Sequence, residues 1–208
     1  VNFIEAANNN GVNIGDVRRV YDSSTNRYLR QTTSDFSKSD VLLDQLVTLE
    51  SLLDDNTNSI GTYLTSSLTA LRNLNANAGD DKGRSLYLQQ LGILSNRFQA
   101  INAQFQLSLG SVNESMNNLT STINQLTQKI SELNLQLTQA DNAGNPSLLD
   151  QRESVLRDLS KYLDFTAQED DRGSVNVIVG NGTLLVFGIQ SFPLSTVASN
   201  SDPLITDL

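Results

Sequence analysis

Apolar residues recur along most of this chain at steps of three and four, with asparagine, glutamine, serine and threonine filling the positions between. That spacing is the period of an amphipathic helix with a narrow stripe. The longest run is Leu91, Leu94, Phe98, Ile101, Phe105, Leu109, Val112, Met116, Leu119, Ile123, Leu126, Ile130, Leu133 and Leu137. Its steps alternate as a heptad does, with one additional step of four across Ile101, Phe105 and Leu109, a stutter. A helix from about residue 84 to about residue 140 would be roughly 85 Å long. Nothing of that length closes on itself in a compact globule, so the seam predicts a coiled coil or an elongated antiparallel bundle. Gly110, beside the stutter, is where a local bend is expected.

Shorter patterns flank this seam. A first helix is expected to begin near Asp22 or Ser23, both good N-caps. It carries Leu29, Phe36 and Leu43, then Leu46, Leu49 and Leu53, and ends in the polar stretch from Asp54 to Ser59. A second helix follows on Ile60, Leu64, Leu68, Leu71 and Leu74 until Gly79-Asp80-Asp81-Lys82-Gly83 breaks it. Asn145 and Pro146 form an N-cap and a first helical residue for a fourth helix. Ahead of all these, residues 1–21 read as irregular or short-strand, with Val12 and Ile14 alternating and a turn at Gly15.

After Leu163 the period changes. Phe165-Thr166-Ala167-Gln168 reads as a strand and Asp170-Asp171-Arg172-Gly173 as a turn. Val175–Val179 and Thr183–Phe187 flank Gly180-Asn181-Gly182, a hairpin whose turn tolerates positive φ. The predicted fold class is therefore α+β. An elongated helical domain with a strand-like lead-in covers 1–164; a β-hairpin and the start of a small β-rich domain cover 165–208.

Composition narrows the function. Fourteen basic residues face 23 acidic ones, a net charge of −9, and no basic cluster is present to bind nucleic acid or an anionic membrane surface. No apolar run approaches the roughly 20 residues that span a bilayer, and the opening VNFIEAANNNGVNI lacks the basic and apolar regions of a signal peptide. Cys, His and Trp are all missing. Disulfides, thiolate nucleophiles, imidazole bases and Cys/His metal sites are thereby excluded, and neither cofactor nor metal is expected.

One cluster invites a catalytic reading, the stretch Leu148-Leu149-Asp150-Gln151-Arg152-Glu153 followed by Leu156 and Leu159. Asp150 and Glu153 lie one turn apart and could converge on a cleft, as an Asp/Glu-dependent hydrolase requires. Spacing favours another reading. The rows 149, 152, 156, 159, 163 and 148, 152, 155, 159, 162 place Arg152 within the apolar face, with Asp150, Glu153 and Asp158 to the side or behind. A guanidinium there needs a carboxylate or several carbonyl oxygens, and its planar fork can bridge two helices. The charges are expected to act as an internal clamp between the short helix and the long one.

Other candidates are weaker. Asp54-x-Asn56-x-Asn58 looks like the start of a calcium loop, but Ser59 and Thr65 stand where Gly and Glu are needed. A polar interhelical turn accounts for it. Asp80–Gly83 and Glu169–Gly173 read as solvated turns. Asn113, Asn118 and Asn181 open glycosylation-type triplets, two of them on the long helix. No catalytic constellation emerges, and the chain is expected not to be an enzyme.

Two stretches carry a family resemblance. Gly11-Val12-Asn13-Ile14, Val17, Arg19, Tyr21-Asp22 and Leu29-Arg30 form one; Leu148 to Glu153 with Leu156 and Leu159-Ser160 form the other. Together they resemble the flagellar hook-associated protein 1 family, with Glu153 standing where that family usually has Asp. The resemblance spans about residues 11 to 188. It implies a flagellin-like plan and a core fragment without the terminal helical segments that pair in the family. It further implies a non-enzymatic adaptor at the hook–filament junction, located outside the cell after export through the flagellar secretion apparatus without a cleaved signal peptide. The implied partners are hook protein and the second junction protein, copies of the same subunit in a ring, and an export chaperone that binds a C-terminal region outside this sequence. The alternative is another bacterial secreted coiled-coil module, such as a secretion tip protein or a phage tail component.

Overall fold

The computed structural model describes residues 5–8, 11–14, 21–53, 59–139, 144–180, 182–198 and 206–207. Strands β1 (Glu5–Asn8) and β2 (Gly11–Ile14) pair antiparallel in a small hairpin. Four helices follow, α1 (Ser23–Leu53), α2 (Ile60–Ala76), α3 (Asp81–Thr138) and α4 (Pro146–Leu159). Strands β3 (Phe165–Glu169), β4 (Val175–Val179), β5 (Leu184–Phe187) and β6 (Gln190–Ser191) then form an antiparallel sheet in that order. A separate two-stranded sheet pairs β7 (Val197–Ala198) with β8 (Thr206–Asp207). The α+β class expected from the sequence is the observed one. The Gly15 turn and the Asp54–Asn58 segment lie outside the described residues.

Local chemistry accounts for the helix boundaries. The Asp22 carboxylate accepts from the backbone N–H groups of Ser24 and Thr25 at 2.9 and 3.3 Å, closing the first turn of α1. Ser59 caps α2 through the N–H of Thr62. Asn145 caps α4 through Ser147 and Leu148, with Pro146 at the first helical position. Helix α3 starts at Asp81, three residues earlier than expected, because the side chain of Asp80 accepts from the N–H of Lys82 and so starts the helix before Gly83. It continues through Gly110 as α-helix. Many helical serines and threonines return their hydroxyls to a carbonyl three or four residues back, as Thr33 does to Leu29 and Thr120 to Met116. That satisfies the hydroxyl locally and lets a polar helix persist.

Contacts divide the chain into two compact units. The first comprises 1–39, 116–197 and 207–208, and the second comprises 40–115 and 198–206. Helix α4 ends at Leu159 and strand β3 begins at Phe165, and compactness groups the strands with α4 and the last part of α3. The reason lies in the first unit's core. Ile123 and Ile130 of α3, Leu156 and Leu159 of α4, Val175 and Val177 of β4, and Leu185 and Val186 of β5 form one buried cluster. A four-stranded sheet with one apolar face needs a covering layer, and these two helices supply it.

The long seam is therefore not uniformly packed. From Ile123 onward its residues are buried or nearly so, whereas Leu91, Phe98, Phe105, Val112 and Leu119 are exposed. The buried stripe is also wider than the seam, since Thr120, Thr127 and Asn134 are buried on its flank at seven-residue spacing. In the second unit only Ser67 and Ala70 are buried among the described residues.

The β4–β5 hairpin turns at Gly180–Gly182 as expected. The Gly182 N–H donates to Val179 at 2.8 Å, and Gly182 adopts a φ of 87° that a side chain would disfavour. A bulge between Val177 and Ile178 lets the adjacent residues Leu185 and Val186 both be buried.

Candidate functional site

Helix α4 places the cluster singled out in the sequence. Leu156 and Leu159 enter the core, Leu148 and Leu149 are half-buried, and Asp150 and Gln151 face outward. Arg152 is buried at 5% exposure and donates in three directions. Its Nη1 reaches the side-chain oxygen of Asn134 at 3.1 Å and the carbonyl of Gly173 at 2.6 Å, and its Nη2 reaches Glu169 at 3.3 Å. The guanidinium so ties α4 to α3 and also to the turn between β3 and β4.

Asn134 completes this junction. It is fully buried, and its Nδ2 donates to the carbonyls of Val175 at 2.9 Å and Gly188 at 2.6 Å. Its Oδ1 accepts from the N–H of Val175 at 3.1 Å and from Arg152. Both donors and both acceptor sites of the amide are used, which is the condition for burying it at little cost. Nearly three turns closer to the start of α3, Asn124 repeats the two-point clasp on Leu194, at 2.9 and 2.8 Å. The two asparagines of α3 hold backbone of β4 at Val175, of the β5–β6 turn at Gly188 and of the segment after β6 at Leu194.

Glu153 differs from its sequence-based placement. Rather than lying to the side or behind, it is buried, because α1 packs against that flank of α4 and brings Arg30 to it. The Arg30 Nη1 meets Glu153 Oε1 at 2.5 Å, with both side chains at or below 10% exposure. Tyr21 donates its hydroxyl to the other carboxylate oxygen at 3.2 Å. Partial burial, and next the negative charge of Glu153, push the Tyr21 phenol above its ordinary 10.0 against an opposing pull from Arg30. Tyr21 and Arg30 belong to the first family-like stretch and Glu153 to the second, so the two stretches meet at one carboxylate.

Beside these residues lies a cleft of about 490 Å³, bounded by Tyr21 and by Ser23, Arg27 and Arg30 of α1, by Arg152 and Glu153 of α4, and by Thr166 to Glu169 of β3. Asp150 is not among its lining residues. Arg152 is buried and the two carboxylates do not converge, so the arrangement required of an Asp/Glu hydrolase is not formed. No group of three or more Asp or Glu residues gathers as a metal ion would need among the described residues.

Sequence reasoning did not single out Asn134, named Arg30 only within the first family-like stretch and without its partner, and read Glu169 as part of a solvated turn. Asn134 left a trace in the pattern. It stands at the step after Ile123, Thr127 and Ile130 on a core-facing row, where a polar residue requires buried partners. The pairing of Arg30 with Glu153 left none, since the two residues are 123 positions apart.

Residues 46–208 match the family model "Flagellar hook-associated protein FlgK helical domain". Flagellar hook-associated protein 1 of Salmonella typhimurium is 29% identical over 201 residues, covering 95% of this chain and 36% of that protein. The Escherichia coli K12 protein of the same name is 27% identical over 198 residues, 93% of this chain and 36% of its own length. Among solved structures, the flagellar hook junction protein FlgK from Burkholderia pseudomallei superposes with a TM-score of 0.76 at 28% identity, over 88% of this chain and 32% of that one. The chain thus spans about a third of the length of these relatives.

Proposed function

This chain belongs to the flagellar hook-associated protein FlgK helical domain family, and from that premise we propose that it is the helical core of a structural subunit at the flagellar hook–filament junction. The relatives it matches carry hook-associated or hook-junction names. The observation that carries the reading is the meeting of the two family-like stretches, Tyr21 and Arg30 with Glu153, in one buried network.

The role is mechanical and non-enzymatic. A buried ion pair and a saturated amide are costly to break one partner at a time, so they hold α1, α4 and the sheet in a single arrangement under load. The polar outer faces of the helices supply contacts to neighbouring subunits. Hook protein on one side, the second hook-associated protein on the other and copies of this subunit in a ring are its partners, with a dedicated chaperone binding a region outside this sequence before export. Its place is the flagellum outside the cell. No described helix is long and apolar enough to cross a membrane.

The test is reconstitution on purified hooks. The natural protein, with its flanking regions present, is expected to cap hooks and to support filament growth from them. Hooks that stay bare, or capped hooks that never elongate when the remaining components are supplied, would refute the junction role.

A further inference from the structure

The cleft beside α1 has one wall made of strand edge. Thr166, Ala167, Gln168 and Glu169 are consecutive in β3, and their side chains alternate between the two faces of the sheet. A depression lined by all four therefore includes the edge of the strand, and it continues inward to Leu156 of α4 and Val175 of β4. Strand β3 is the first in the order β3-β4-β5-β6, and among the described residues it pairs with β4 alone. Alternate residues of an edge strand point their N–H and C=O groups away from the sheet, a ready template for another extended chain.

Charge selects the occupant. Three arginines line this cleft. Arg30 is taken by Glu153, and Arg152 by Asn134, Gly173 and Glu169. Arg27 is exposed and makes no hydrogen bond or ion pair within the described residues, so it is the one uncompensated cation of the three. We propose that the β3 cleft is a docking site for an extended acidic segment of a partner protein, which adds to the sheet as a strand beside β3 and sets a carboxylate on Arg27. Main-chain hydrogen bonds supply the hold and the Arg27–carboxylate pair the selectivity. The inference stands apart from the junction role, because it depends on the sheet edge and Arg27 alone.

The probe is a fluorescein-labelled hexapeptide, Asp-Val-Thr-Val-Asp-Val, with two controls. One replaces Asp by Lys, and the other places Pro at alternate positions so that it cannot donate to a strand. Fluorescence polarisation is expected to show saturable binding of the acidic peptide below about 1 mM, with neither control binding. Amide shifts in NMR spectra should concentrate on 166–169. Arg27→Glu should weaken binding at least about tenfold, and Arg27→Gln less, with circular dichroism and the unfolding midpoint unchanged because the side chain is exposed.

Lack of saturation at 1 mM, equal binding of the Lys peptide, or shifts elsewhere would overturn the proposal. Two further results would also overturn it by naming another occupant. The full-length natural protein refusing the peptide that the 208-residue chain binds would show the cleft filled by its own chain. Dimerisation in sedimentation that Arg27→Glu abolishes would show it filled by a second copy.

Discussion

Arg30 of α1 and Glu153 of α4, 123 residues apart in sequence, form a buried ion pair at 2.5 Å. Tyr21 satisfies the remaining carboxylate oxygen, so the charge of Glu153 is met from two directions by the segment that opens α1. The pair fastens the beginning of the chain to a helix that forms much later in it.

Removing one partner strands the other. Arg30→Ala or Glu153→Ala should each cost about 3–5 kcal/mol in urea denaturation, because an unpaired buried charge remains. The double variant Arg30→Ala/Glu153→Ala should lose clearly less than the sum of the single replacements. Strict additivity would show that the two side chains do not interact in solution.

Arg152→Ala should destabilise the first unit by about 3 kcal/mol, at the lower end of the range for breaking a buried charged network. Its partner Glu169 is 56% exposed, so that ion pair contributes little and Glu169→Gln should cost less than about 1 kcal/mol. The larger part is the loss of the bonds to Asn134 and Gly173. A change within about 0.5 kcal/mol for Arg152→Ala would contradict its burial.

Asn134→Ala should cost about 2–4 kcal/mol, since it leaves the buried N–H and carbonyl of Val175 without their side-chain partner. Hydrogen exchange locates the effect. The Val175 amide should lose protection before the rest of β4, and unchanged protection there would refute the clasp.

Tyr21 predicts an alkaline limit. The folded chain holds the phenolic proton more tightly than the unfolded chain does. This group's contribution is complete below the unfolded value near 10 and is lost as pH rises through the higher folded value. Stability measured between about pH 9 and pH 12 should fall less steeply in Tyr21→Phe than in the parent, and identical slopes would refute the coupling.

Asp22 predicts the opposite limb. Hydrogen bonds from the Thr25 hydroxyl, and then from the backbone of Thr25 and Ser24, hold its carboxyl below the ordinary 3.8. Its contribution is complete above that value and disappears as pH falls through the lower folded one. Asp22→Ala should fray the first turn of α1 at neutral pH, and the difference from the parent should vanish in strong acid. Circular dichroism across the titration measures both.

Much of the fold was legible because it is written in short-range chemistry. The Asp22, Ser59 and Asn145 caps, Pro146 at the start of α4 and the Gly180–Gly182 turn each act within a few residues. The site was legible in part. Arg152 stood out as a charge on an apolar row, whereas Glu153 was misplaced because the second flank of α4 becomes interior only when α1 arrives with Arg30.

By itself the sequence determined where helices start and stop, where the period changes to strand, and which groups are missing for catalysis. Those properties depend on neighbours three or four residues away, or on composition alone. Tertiary structure decided which part of an evenly periodic seam is interior and which charges meet. Ile130 and Phe98 share one repeat, yet Ile130 is fully buried and Phe98 is exposed, because the sheet and α4 cover only the last third of α3. Burial requires a second surface, and no periodicity within one helix encodes where that surface will be.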